Sequence, residues 1–230
     1  MSGKRGRFYG VSVGPGDPEL LTLKAVRILE RCPVIAAPST GDGRMLALSI
    51  AEGAVDLSGK TILPLFLTMT RDRAARLAEY RAAAEQVAAA LEGGRDVAMV
   101  NLGDVSVYAT YPYLMELLRE RGYGTEMIPG VPSFCAAASR LGVSLTEGNE
   151  SLHLLSGREP LDGALELDGT KVLMKTGRQL PQVLEALRVR GLLEQSVLVE
   201  NCGLPGERVC RDLSRLESEA GYFTLIIVKE

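Results

Sequence analysis

The sequence predicts an α/β protein of two α/β domains, and three observations carry that prediction. Short apolar runs alternate with amphipathic segments through the first half, the β-α-β pattern of a mostly parallel sheet with helices on both faces. Prolines and a glycine then interrupt the chain at IPGVPS (128–133), which sets a boundary between an N-terminal domain, 1–128, and a C-terminal domain, 129–230. Beyond it strands outnumber helices, as in a mixed sheet.

Residues 7–13 form a buried strand. A helix over 21–31 follows from apolar Leu21, Ala25, Ile28 and Leu29 at helical spacing, with Thr22 or Asp17 as its cap and Pro33 as its stop. A strand at 34–37, a helix at 45–54 and a strand at 61–65 come next. The long helix 72–91 closes at Gly93-Gly94, and its alanines at 82–90 read as good helix formers on a surface helix. A strand at 96–102, a helix at 111–121 ended by Gly122, and a strand at 125–128 complete the first domain. The second holds helices at 133–141 and 180–190 and strands at 151–155, 171–174, 196–200, 208–213 and 222–229.

With 26 Lys and Arg against 29 Asp and Glu mixed along 230 residues, the net charge of −3 points to no nucleic-acid or membrane partner. No apolar run approaches the roughly 20 residues of a membrane span, and MSGKRGRFYG has no signal-peptide core; a cytoplasmic protein is expected. Cys32, Cys135, Cys202 and Cys210 form no C-x-x-C pair and no disulfide framework. His153 is the sole histidine, in an alternating SLHLLS strand, so a histidine-rich metal site is excluded and no metal is expected.

Three loops carry candidate chemistry. GPGDPELLTL (14–23) follows the first strand, where glycines allow close backbone approach. A dinucleotide fingerprint needs a third glycine where Glu19 stands, Pro15 and Pro18 each remove an N–H, and Asp17 repels phosphate. NLGDVSVYATYPYL (101–114) places Gly103 and Asp104 at a strand's carboxyl end, where open parallel sheets bind ligands, with Tyr108, Tyr111 and Tyr113 as aromatic surface. PGVPSFCAAAS (129–139) is a Pro-Gly turn into a helix of small residues with Ser133 as a plausible N-cap. GAVDLSGKT (53–61) is a decoy, because Gly53 is one residue too far from Gly59-Lys60 for a phosphate loop and the helix-to-strand order is reversed.

These loops, in this order and spacing, resemble the tetrapyrrole methylase family, S-adenosylmethionine-dependent methyltransferases of corrin and siroheme synthesis. The resemblance spans the chain and extends to VLMKTG (172–177), VENCGLPGERV (199–209) and YFTLIIVK (222–229). Within the family the chain is most similar to the group methylating C20 of precorrin-2 or cobalt-factor II in cobalamin (vitamin B12) biosynthesis. The resemblance implies a homodimer of two-domain chains, with S-adenosyl-L-methionine in a cleft between the domains. It assigns donor contacts to Pro15, to Leu102, Gly103 and Asp104, to Ser133 with Pro132 and Phe134 beside it, to Met174, and to Asn201 and Cys202. Val105 departs from the proline many members carry after Gly-Asp.

On this reading a meso carbon of the ring attacks the methyl group in line, and Asp17, Tyr108 or water takes the C20 proton. A rim of Arg44, Arg71, Arg158, Lys175 and Arg178 would oppose the substrate's carboxylates. A sibling methylase acting at another ring carbon and a non-catalytic donor-binding module stay open at this stage.

Overall fold

The structure, a computed structural model, describes residues 5–39, 43–68, 70, 72–157, 161–216 and 221–229. The chain forms two compact units, Met1–Pro132 and Ser133–Glu230.

The first unit runs β1 (Arg7–Ser12), α1 (Leu23–Arg31), β2 (Val34–Ser39), α2 (Leu46–Glu52), β3 (Thr61–Phe66), α3 (Arg73–Glu92), β4 (Val97–Asn101), α4 (Tyr111–Glu120) and β5 (Gly124–Ile128). Its sheet has the order β3-β2-β4-β1-β5, with every pairing parallel. β4 (VAMVN) is buried throughout, as a strand covered on both faces requires. Phe8, Val34, Ala36, Leu65, Val97 and Met99 form one core with α3 and α4. Alternation points Tyr9, Val11, Ile35, Ala98 and Val100 to the other face. There Arg31 of α1 donates to the Tyr9 hydroxyl at 2.6 Å. The neighbours β1 and β4 therefore send their following helices to opposite faces, which opens a crevice at their carboxyl ends.

Several local expectations are corrected. Pro18 starts a separate 3-10 turn, Pro18–Leu20, capped by Asp17, whose carboxylate accepts from the Glu19 N–H at 2.9 Å. Thr22 alone caps α1, accepting from Ala25 at 3.1 Å, so the helix begins at Leu23. α3 is no mere surface helix: Ala83, Ala84, Ala88 and Ala90 are buried with Val87 and Leu91, and only small side chains fit so close to the sheet. Tyr111 is not aromatic surface but fully buried. Its ring covers Gly10, where a Cβ would stand 2.5 Å from the ring carbons. Its hydroxyl lies 2.9 Å from the Phe8 carbonyl and 3.0 Å from that of Glu126. Burial pushes its phenol pKa up.

The second unit runs α5 (Ser133–Leu141), β6 (Leu152–Ser156), β7 (Thr170–Met174), α6 (Leu180–Val189), β8 (Ser196–Glu200), β9 (Arg208–Cys210) and β10 (Thr224–Val228). Its sheet has the order β6-β7-β10-β8-β9, parallel only between β6 and β7. Leu180, Val183 and Leu187 of α6 pack on Leu173, Leu198, Ile226 and Val228. The strand expected over 208–213 stops at Cys210, because Asp212 caps a 3-10 turn, Leu213–Arg215. His153 sits on the edge strand β6, its Nε2 2.9 Å from the Asp168 carbonyl. Among the described residues no helix is long and apolar enough to cross a membrane.

Candidate functional site

At the carboxyl edge of the first sheet, the loops after β1, β4 and β5 are tied into one body. Gly103 donates to the Gly14 carbonyl at 2.7 Å, and Gly14 returns a bond to Gly103 at 3.3 Å. Both have left-handed φ, 73° and 70°, which favours glycine at each. Ser12, fully buried, donates from its hydroxyl to the Ile128 carbonyl and accepts the Val105 N–H, each at 2.8 Å. Asp104 accepts the Ser106 N–H and hydroxyl on Oδ1 and the Gly130 N–H on Oδ2, the two N–H bonds at 2.8 Å. The Gly130 bond keeps the 129–132 loop with the first unit.

Burial opposes ionisation of Asp104, but the Ser106 hydroxyl and the Gly130 and Ser106 N–H groups together hold its carboxyl below the usual range. Gly130 admits no side chain: a Cβ there would stand 2.4 Å from the Ser12 Cβ and 3.1 Å from the Gly103 carbonyl oxygen. Pro15 and Gly16 are buried within this body, and Leu102 is half-buried.

In the second unit Met174 ends β7 and Asn201 follows β8. The two leave the same edge of the sheet on either side of β10, where Leu225 pairs with both Met174 and Val199. The Met174 carbonyl accepts the Gly157 N–H at 2.8 Å, and Gly157 lies against Thr176, whose Cγ2 would be 2.5 Å from an added Cβ. Asn201 has a φ of 52°. Its N–H donates to Phe223 at 3.0 Å, and its amide reaches the Gly206 carbonyl at 3.4 Å. Gly203 donates to Glu207 at 2.9 Å, and Glu207 pairs with Arg140 of α5, so the Asn201–Gly203 loop is fastened to the helix that begins at Ser133 and Phe134. Burial pushes the Cys202 thiol up, which suits a packing group rather than a nucleophile.

Residues 7–216 match the family model of Tetrapyrrole (Corrin/Porphyrin) Methylases. The chain belongs to this family. It is 36% identical to a precorrin-2 C(20)-methyltransferase from Sinorhizobium sp, covering 97% of this chain and 95% of that one. It is 31% identical to a cobalt-precorrin-2 C(20)-methyltransferase from Salmonella typhimurium, covering 98% and 97%. A solved uroporphyrin-III C-methyl transferase from Thermus thermophilus, complexed with S-adenyl homocysteine, shares the fold with a TM-score of 0.71 at 23% identity and 98% coverage of each chain.

In this tetrapyrrole methylase the first unit brings Pro15, Leu102, Gly103 and Asp104 together, and the second fastens the Asn201–Cys202 loop to the helix carrying Ser133 and Phe134. Tyr108 is exposed, with a φ of 49°, and Asp17 is half-buried on its turn. Arg44 and Arg178 are exposed, and Lys175 is half-buried with a φ of 61°; Arg71 and Arg158 lie outside the described residues. Lys60 of the decoy loop donates to the carbonyls of Glu30 and Cys32, at 2.7 and 3.0 Å, closing the end of α1. Sequence reasoning missed Ser12, Gly130 and Glu207. For Ser12 the available signal was a hydroxyl at the end of an otherwise apolar strand.

Proposed function

We propose that this chain transfers a methyl group from S-adenosyl-L-methionine to C20 of precorrin-2 or its cobalt-bearing form, in cobalamin biosynthesis. The observation that carries the position is near-full-length similarity to two C(20)-methyltransferases, one named for precorrin-2 and one for cobalt-precorrin-2.

The chemistry of the loops fits such a donor. The N–H groups of Gly14, Gly103, Val105, Ser106 and Gly130 all bond within the protein, and Pro15 has none. These bonds leave few N–H groups for a phosphate cradle, and the carboxylate of Asp104, held ionised by its hydrogen bonds, suits a cation. When bound, the donor supplies an electrophilic methyl group on a sulfonium.

Pro15, Leu102, Gly103 and Asp104 form the first unit's contribution to donor binding. Ser133, Phe134, Met174, Asn201 and Cys202 form the second's, with Met174 and Cys202 supplying apolar surface for adenine. The chain's main contribution is to hold the attacking carbon in near-attack geometry and exclude water. Asp17, Tyr108 or water takes the C20 proton, and Arg44, Lys175 and Arg178 face substrate carboxylates. A homodimer is proposed on the family resemblance and is checked by sedimentation equilibrium.

The test is incubation with methyl-labelled donor and, separately, precorrin-2 and cobalt-precorrin-2, with the labelled carbon located by NMR. Label at C20 is expected. Label at another ring carbon, or none, overturns the assignment.

A further inference from the structure

We infer that the first two turns of α3 and the start of α4 form a subsite for a planar, carboxylate-bearing macrocycle. The identity of that ligand as the methyl acceptor rests on the methyltransferase reading above; the subsite itself stands on the following geometry.

α3 follows β3 directly, so its first turns stand at the carboxyl edge of the sheet. Arg73, Arg76, Leu77 and Tyr80 recur at three- and four-residue spacing and share one helix face. The Tyr80 ring stacks on Tyr113 of α4, with centroids 5.0 Å apart and planes 20° from parallel. Thr110, at the start of α4, is the residue before Tyr111 and stands three positions from Tyr113, so the stacked pair lies beside the loop after β4. Tyr113 is 54% exposed, Leu77 41% and Tyr108, two residues before Thr110, 47%. Tyr108 holds a left-handed φ of 49°, a conformation costly for a bulky residue and common at ligand sites. Aromatic faces of this kind stack on planar π systems.

Charge selects the ligand. Arg76 donates to a neutral carbonyl, that of Thr70, at 3.3 Å. Arg73 is exposed and makes no ion pair among the described residues. The acid on this stretch of α3, Glu79, binds the Thr68 N–H and hydroxyl, and Glu116 lies one turn along α4 from Tyr113. Two guanidinium groups beside a stacked tyrosine pair match a ring with peripheral carboxylates. A second copy of the chain fits poorly with this patch on a twofold axis, because there the arginines of one copy would meet those of the other.

The experiment uses the full chain and uroporphyrin III as probe, followed by the shift of its visible absorption band. Tyr113→Ala and Arg73→Glu are each expected to weaken porphyrin binding about tenfold or more, with the KM for S-adenosylmethionine unchanged. Tyr113→Phe should retain wild-type affinity, and Arg73→Glu should flatten the salt dependence. The subsite is overturned if the wild type does not bind the porphyrin, or if both disruptive variants bind it as the wild type does. It is likewise overturned if those variants keep porphyrin affinity but change the oligomeric state, which would make the patch an interface between copies. Porphyrin binding that depends on Tyr113 and Arg73, without methyl transfer to C20, would sink the enzymatic reading and leave the subsite standing.

Discussion

The buried N–H of Val105 donates to the hydroxyl of Ser12 at 2.8 Å, across the ends of two neighbouring strands. The family resemblance places a proline after Gly-Asp in many members, where this chain has Val105, and proline has no N–H to satisfy. With valine there, a buried donor needs an acceptor, and Ser12 supplies it while its own hydrogen goes to Ile128. Ser12→Ala should therefore cost about 1–3 kcal/mol, the range for leaving a buried donor unpaired. Val105→Pro removes that donor, so adding Ser12→Ala to it should cost less than Ser12→Ala alone. Urea unfolding of the four proteins of the cycle measures the difference; strict additivity would show that the two residues are uncoupled.

Gly130 and Ser12 are coupled by shape. A methyl group on Gly130 would fall 2.4 Å from the Ser12 Cβ, so Gly130→Ala must push the 129–132 loop away from β1. Overpacking of this kind costs roughly 1–3 kcal/mol. Ser12→Gly deletes the obstructing atom but also the hydroxyl that Val105 needs, so Gly130→Ala should cost much less in that background than in the wild type, although the Gly103 carbonyl oxygen, 3.1 Å from the added Cβ, still has to give. Thermal unfolding of the four proteins of this Gly130 and Ser12 cycle is the check; an equal cost of Gly130→Ala in both backgrounds would place the strain elsewhere.

The strand and helix order was legible because apolar period and turn residues agreed at nearly every element, down to the stop at Pro33, with Thr22 one of the two caps open for α1. What failed depended on tertiary neighbours. Ala83, Ala84, Val87, Ala88 and Leu91 already showed the spacing of a buried stripe, but alanine also suits an exposed helix. Tyr111 looked like its neighbours Tyr108 and Tyr113. Its helical spacing with Leu114, Met115 and Leu118 marks it as core, and only the bare Gly10 opposite leaves room for its ring. The glycine-rich loops were recognisable as close-approach turns, whereas their fastening by Ser12 and Asp104 joins residues 93 and 26 positions apart and leaves no local trace.

Asp104 bridges two loops with two acceptor oxygens, and asparagine has only one. Asp104→Asn should thus set an N–H donor against the Gly130 or Ser106 donors and cost about 1.5–3 kcal/mol near neutral pH. Folding lowers the Asp104 pKa. Its contribution is fully present above the unfolded carboxylate value of about 3.9 and is lost as pH falls through the lower folded value. The stability gap between wild type and Asp104→Asn should be constant from about pH 5 upward and shrink below about pH 4. Urea titrations across that range measure it, and a gap that widened on acidification would contradict the bridge.

Glu207 divides its carboxylate between the Gly203 N–H and the Arg140 guanidinium, and the two bonds should not matter equally. The Gly203 N–H is the larger influence holding the Glu207 carboxyl below its usual range, ahead of Arg140. The Arg140 side chain is 64% exposed, and an ion pair with so open a partner contributes about 0–1 kcal/mol. Glu207→Ala releases the Asn201–Gly203 loop from both anchors and should raise the KM for S-adenosylmethionine several-fold, with the KM for the tetrapyrrole unchanged. Arg140→Ala leaves the Gly203 bond in place and should change the donor KM by less than about twofold. Glu207→Gln keeps one acceptor and should fall between them. Steady-state kinetics with each substrate varied in turn decides the matter. If Arg140→Ala proves as damaging as Glu207→Ala, the ion pair rather than the Gly203 bond fastens the loop, and α5 then becomes the element that sets its position.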